Sequence, residues 1–248
     1  GHSGIRQLLS QIASYPEVAT KAVQGLATHW AYYYFLSRLL KPEIAPSIEN
    51  LKPFFLIGDS HILSGAWCHF KIRGETHYLH PMLVTGLKAW HLRKGNEFLT
   101  VSNTDYCFKS LPPGTKEAIF VCGEIDCREG LPGALTKGKY GDLEDAVKQT
   151  VTAYLEALEE LEKRYDIKLY VLSVCPPSNP KYRDRAQATY AFNAALREGL
   201  KGKGRFLDVA DDVTSAEGVV KTELVCDGTH MNRGVLPFIQ REVDSLLT

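Results

Sequence analysis

The stretch Phe54-Phe55-Leu56-Ile57-Gly58-Asp59-Ser60-His61 decides how the rest of the chain is read. Four consecutive apolar residues form a short buried strand. Gly58-Asp59 breaks it, and Ser60 follows at the strand's carboxyl end, where open α/β sheets hold their ligands. A helix-compatible segment, Ile62 to Phe70, comes next. A serine at a strand-to-helix turn is exposed, and it attacks a carbonyl when a base lies near. Asp59 and Ser60 are equally good helix caps, so the stretch alone does not separate chemistry from capping. His61, directly after the serine at a helix start, reads either as a residue pointing at the site or as a plain helix residue.

Outward from this strand, the pattern alternates. A short strand over 77–85 ends at Gly86, and Glu117–Cys122 forms a third strand closed by Gly123. Residues 142–165 repeat apolar positions at helical spacing (Leu143, Val147, Val151, Leu155, Leu158), with charged residues between them. Lys168–Val174 is a strand ended by Pro176-Pro177, residues 186–200 are helical, Arg205–Asp208 is a short strand, and 234–247 is the closing helix. Strands alternating with helices predict a parallel sheet covered on both faces. Residues 51–248 therefore read as one α/β domain. Residues 1–50 read as a helical extension with an aromatic-rich second helix (Trp30, Tyr32, Tyr33, Tyr34, Phe35), a packing or protein-contact surface or the end of a helical-repeat region.

The chain has 248 residues, 44% hydrophobic and 23% charged, with 29 basic and 29 acidic side chains. This balance predicts neither nucleic acid nor an anionic membrane as the main partner. No apolar run reaches the length of a membrane span, and no signal-peptide pattern stands at the start of the sequence. The six cysteines form no C-x-x-C pair, and Cys122 and Cys175 lie in or beside apolar strands, as buried thiols do. A reducing, cytoplasmic setting is the expectation. His77 and His80 lack a Cys or carboxylate companion, no dinucleotide or phosphate loop is present, and no metal or cofactor is expected.

Some 170 residues after Ser60 comes Cys226-Asp227-Gly228-Thr229-His230-Met231-Asn232. Its spacing lets the Asp227 carboxylate reach His230 and fix one tautomer, leaving the other ring nitrogen for a hydroxyl. A surface turn with a capping Asp fits the same residues. Between the two motifs lies Gly123-Glu124-Ile125-Asp126-Cys127-Arg128, three charges gathered at a strand end. Arg128 suits an oxyanion or a substrate carboxylate, or an ion pair with Glu124 or Asp126.

Together, Gly58-Asp59-Ser60, Asp227-x-x-His230 and their order resemble the SGNH (GDSL-type) hydrolase superfamily over most of residues 53–247. The Gly-Glu-Ile-Asp-Cys-Arg run resembles a subset of that superfamily. The resemblance implies a three-layer α/β/α, flavodoxin-like fold. It also implies Ser60 as nucleophile, His230 as general base and then acid, and Asp227 as its orienting partner. The superfamily's oxyanion hole combines the serine N–H, a glycine N–H after strand two and an Asn from a G-x-N-D block. Gly86 matches the glycine by position. The third block departs from the pattern, since Ile125 stands where Asn is expected and donates no side-chain hydrogen bond. Arg128, Asp126 and Glu124 are the candidates for oxyanion or substrate binding in its place.

The resulting expectation is a serine hydrolase acting on a small-molecule or carbohydrate ester through an acyl-enzyme. One alternative is an O-acyltransferase using the same three residues. The other is a non-catalytic binding or scaffold module on the same fold, a reading motivated by Ile125 and the aromatic N-terminal helix.

Overall fold

The computed structural model describes residues 33, 35–37 and 47–247. The two helices expected over 4–40 lie almost wholly outside these residues; those that fall within, 33 and 35–37, are helical. The sheet contains β1 (Lys52–Gly58), β2 (His69–Ile72), β3 (Glu75–Leu83), β4 (Glu117–Val121), β5 (Lys168–Leu172) and β6 (Phe206–Leu207), in the order β2-β3-β1-β4-β5-β6. The helices are α1 (Leu99–Lys109), α2 (Leu131–Thr136), α3 (Leu143–Tyr165), α4 (Arg183–Gly199), α5 (Ala210–Val213) and α6 (Leu236–Leu247).

β1 is central, and its alternation builds the two faces of the core. Phe55 and Ile57 join Phe120, Val171, Tyr154 and Phe192 in one buried cluster, which takes in α3 and α4. Phe54 and Leu56 join Ile119, Tyr170, Ile239 and Val243 in the other, which takes in α6. A strand buried on both faces reads as a continuous apolar run, which is why Phe54–Ile57 is legible in the sequence. Chain order reverses at β1, with β3 paired on one side and β4 on the other. A crevice at such a switch point is the usual ligand site of an open α/β sheet.

Three expectations are corrected. The sheet is mixed rather than wholly parallel, because β2 pairs antiparallel with β3. The helix expected over Ile62–Phe70 is a six-residue 3-10 helix, Ser60–Gly65, followed by β2. Trp67 takes a left-handed backbone (φ 58°) that ends the turn, and His69–Ile72 alternate exposed and buried, a strand pattern of period two. Cys175 is half-buried, whereas Cys122 is buried as expected. The helix α1 was not expected. Its apolar residues form no stripe: Leu99 and Tyr106 face solvent while Cys107 and Phe108 are buried.

Candidate active site

Gly58 ends β1 where the backbone of β4 comes closest. Its φ is 149°, and a Cβ there would stand 1.9 Å from the Val121 carbonyl oxygen. Only glycine fits, and the Asp59 N–H then donates to the same carbonyl at 3.1 Å. Asp59 is fully buried and caps the 3-10 turn, its Oδ1 accepting the His61 N–H at 2.9 Å. This fixes Ser60 between a buried cap and the first turn, half-exposed at the sheet edge.

The histidine arrives on a small antiparallel excursion. Val225 bridges Met231, and the Cys226 N–H donates to the His230 carbonyl at 2.8 Å. Asp227 organises the turn between them. Its Oδ1 accepts the backbone N–H of His230 (2.8 Å) and Thr229 (3.0 Å), while Oδ2 faces His230 Nδ1 at 2.8 Å. His230 Nε2 stands 2.8 Å from Ser60 Oγ. With Nδ1–H donating to the carboxylate, Nε2 carries the lone pair and accepts from the serine hydroxyl. The Phe35 ring lies flat against the imidazole, centroids 4.0 Å apart and planes 13° from parallel. Ser64 Oγ donates to the Met231 carbonyl at 2.8 Å and ties the serine turn to the histidine loop.

The electrostatics follow from this geometry. Burial alone would raise the Asp227 carboxyl, but donation from the ring and backbone of His230 and from Thr229 brings it down to about 2. His230 is lowered from its ordinary value, first by burial and then by the nearby charge of His61, against the pull of Asp227. A deprotonated carboxylate beside a neutral imidazole is the resting state required for taking a proton from a hydroxyl.

Gly86 sits beyond β3 at φ 75°, at the same sheet edge. Val84, two residues before it, donates to the Gly58 carbonyl at 2.7 Å. The expected roles of the third block are rearranged. Asp126 is buried, with Oδ2 2.6 Å from the Ala89 N–H and Oδ1 3.1 Å from the Trp90 N–H. It therefore pins the loop after β3 to the loop after β4, with both carboxylate oxygens engaged by backbone N–H groups. Burial, which outweighs those two donors, pushes its carboxyl up to about 7. Arg128 donates through Nε to Glu124 Oε1 at 2.7 Å and also pairs with Glu129. It faces a cleft shared with Tyr182, Arg185 and Thr229. Ile125 is half-buried and brings no donor.

Of the two readings of His61, the site-facing one fits the geometry, since its ring lies 4.8 Å from that of His230. Sequence reasoning missed one neighbour of the site. Phe35 belongs to the segment read as an extension, and nothing local marks it. A cavity of about 40 Å³ lies beneath the serine turn, walled by Leu56, Ile62, Val121 and Ile239 and reached by Asp59 and Glu124. Among the described residues no three His, Cys, Asp or Glu side chains converge as a metal site, and no helix is long and apolar enough to cross a membrane.

No protein-family model matches the sequence, and no curated protein matches it. Solved structures do. A protein provisionally described as a platelet activating factor from Streptococcus pneumonia matches with a TM-score of 0.57 at 16% identity, over 91% of this chain and 100% of that one. The OSK domain of Drosophila Oskar matches with a TM-score of 0.50 at 17% identity, over 85% and 95%. The lipase Lip_vut3 from a goat rumen metagenome matches with a TM-score of 0.50 at 13% identity, over 79% and 97%. These likenesses, at such low identity, speak to the arrangement of strands and helices. With a six-stranded sheet and helices on both faces, the chain shares the fold of these three structures.

Proposed function

We propose that the chain is a serine hydrolase that cleaves an acyl ester through a covalent acyl-enzyme. The observation that carries this reading is the continuous hydrogen-bonded chain Ser60 Oγ–His230–Asp227, with 2.8 Å at both links. Ser60 Oγ attacks the carbonyl carbon while its proton passes to His230 Nε2. The tetrahedral intermediate collapses, the ester C–O bond breaks, and His230 returns the proton to the departing alkoxide. A water then gives its proton to His230 and attacks the acyl carbon. Ser60 leaves with that proton and the carboxylic acid is released.

The negative charge on the tetrahedral oxygen needs donors. The N–H groups of Ser60 and Gly86 stand at the same sheet edge, and among the described residues neither has a hydrogen-bonding partner. They are the two oxyanion donors in this reading. Ile125 supplies no third, a deficit of the order of 10²–10³ in rate when such a donor is simply removed. Arg128, held by Glu124 and Glu129 at the rim of the adjoining cleft, engages polar groups of the substrate. Glu124 shapes this cleft through Arg128.

The test is a panel of chromogenic short-chain esters followed in the pre-steady state. The expected result is a burst of alcohol release stoichiometric with protein, absent in Ser60→Ala. Turnover that survives Ser60→Ala would refute the assignment.

A further inference from the structure

Ser60 is flanked by two Asp–His pairs, and the mechanism above uses one of them. In the other, both ring nitrogens of His61 face oxygen acceptors. Nδ1 stands 3.2 Å from Asp59 Oδ1, and Nε2 stands 3.2 Å from the Thr229 main-chain oxygen. A carboxylate and a carbonyl cannot donate, and a neutral imidazole has a single N–H. A neutral ring would therefore set one nitrogen lone pair against an oxygen lone pair. An imidazolium satisfies both contacts. The surroundings supply the countercharge. Asp59 is fully buried, and Asp59 Oδ2 and Glu124 Oε2 are buried with no hydrogen-bonding partner among the described residues.

We propose that His61 is a positioning residue that stays protonated while His230 takes and returns its proton. Through Asp59 and the Thr229 carbonyl it clamps the serine turn to the histidine loop. Its charge, one ring away, keeps a second proton off His230 in the resting site. Ser60 then meets a neutral acceptor at a lower pH than His230 would otherwise allow. The inference rests on the Ser60–His230–Asp227 reading for its consequence, but not for its chemistry.

Among the described residues, the groups facing the two rings come from three loops and Phe35. The serine turn presents Asp59 and Ser60. The loop after β4 presents Glu124, itself paired with Arg128. The histidine loop presents Asp227 and the Thr229 carbonyl, and Phe35 covers His230 from the remaining side. Burial works against a charge on His61, but Asp59 and Glu124 outweigh it and carry the ring up to about 9. Two imidazoles at this separation titrate as a coupled pair, and the one with more carboxylate around it keeps the proton.

The experiment is a ¹⁵N NMR titration of histidine-labelled full chain, beside the pH dependence of Ser60 labelling by a fluorophosphonate. His61→Gln retains a side-chain N–H toward Thr229 but no charge, and His61→Lys restores a charge. At pH 7 both His61 ring nitrogens are expected to show protonated shifts. In His61→Gln the His230 midpoint is expected to rise by about 1–2 pH units. The acid limb of the labelling rate should move with it, and return toward wild type in His61→Lys. A merely structural histidine would lower the labelling rate without moving either midpoint. A His61 that titrates below pH 7 in the wild-type chain would overturn the proposal even if every variant failed to fold. So would an unmoved His230 midpoint in His61→Gln. Absence of labelling at every pH would instead count against the hydrolase reading, and the ring titrations would still decide the state of His61.

Discussion

Asp227 and Asp126 stand at the same edge of the sheet, each largely withdrawn from solvent, and they do opposite things. Asp227 takes two backbone N–H groups on one oxygen and keeps the other for the His230 ring. Asp126 spends both oxygens on the backbone of Ala89 and Trp90. Burial dominates at Asp126 and lifts its carboxyl to about 7; donors dominate at Asp227 and hold it at about 2. In the proposed reading, what separates a carboxylate that orients chemistry from one that fastens loops is whether a side chain that can move a proton is among its donors. Residue type and location at the sheet edge do not decide it.

The largest effect that would break this contrast lies at the serine loop. Ser60→Ala is expected to abolish ester turnover with the melting temperature within a degree or two of wild type. Asp227→Asn is expected to cost about 10³–10⁴ in kcat, by favouring the wrong tautomer of His230. Steady-state kinetics beside calorimetry checks both. A large loss of stability with Asp227→Asn, matching its loss of activity, would erase the distinction from Asp126.

Asp126→Ala should behave the other way round. It leaves the Ala89 and Trp90 N–H groups without their acceptor, at a cost of about 2–4 kcal/mol, read from denaturant unfolding. Activity should recover at temperatures where the variant is folded. The pH dependence of stability separates the pair further. The folded chain binds the Asp126 proton more tightly than the unfolded chain, so this residue's contribution falls as pH rises from about 4 through 7. The folded chain binds the Asp227 proton less tightly, so that contribution is present above about 4 and is lost as pH falls toward 2. Asp126→Asn should flatten the first slope and leave the second; the reverse result would exchange the two roles.

A smaller effect sharpens the account of the third block. Ile125→Asn places an amide where a third oxyanion donor is expected and should raise kcat roughly tenfold, with KM nearly constant. An unchanged kcat would mean that the Ser60 and Gly86 N–H groups already suffice. The smallest effect is at Phe35. Phe35→Leu keeps an apolar contact but loses the flat stack on His230, and a loss of several-fold in kcat/KM is expected. No change in kcat/KM would reduce Phe35 to core packing.

The strands of the central sheet were legible because burial on both faces makes them continuous apolar runs, as in Phe54–Ile57 and Glu117–Val121. The long helix α3 was legible from its spacing; the structure adds that Asp142 caps it, accepting from the Asp145 N–H at 2.8 Å. β2 was not, because four alternating residues are too short a signal beside a stretch compatible with a helix. α1 was not, because its apolar residues do not share a face. At the site, Ser60, Asp227 and His230 could be named from motif and order, and the structure brings their side chains within hydrogen-bonding distance. The direction in which a loop turns its charges could not be read. Glu124, Asp126 and Arg128 look alike as a run of charges, yet one points inward to backbone and two pair with each other. Phe35 owes its place to long-range packing against His230, which no local pattern records.

The central claim is that Ser60 is the nucleophile of an acyl-transfer site. The most direct measurement is the intact mass of the chain after reaction with a fluorophosphonate, followed by peptide mapping. The account predicts a single adduct, on Ser60, formed at a rate that falls by orders of magnitude when His230 is replaced by Ala. An unmodified chain under conditions that fully label a control esterase, or an adduct on another residue, would contradict it.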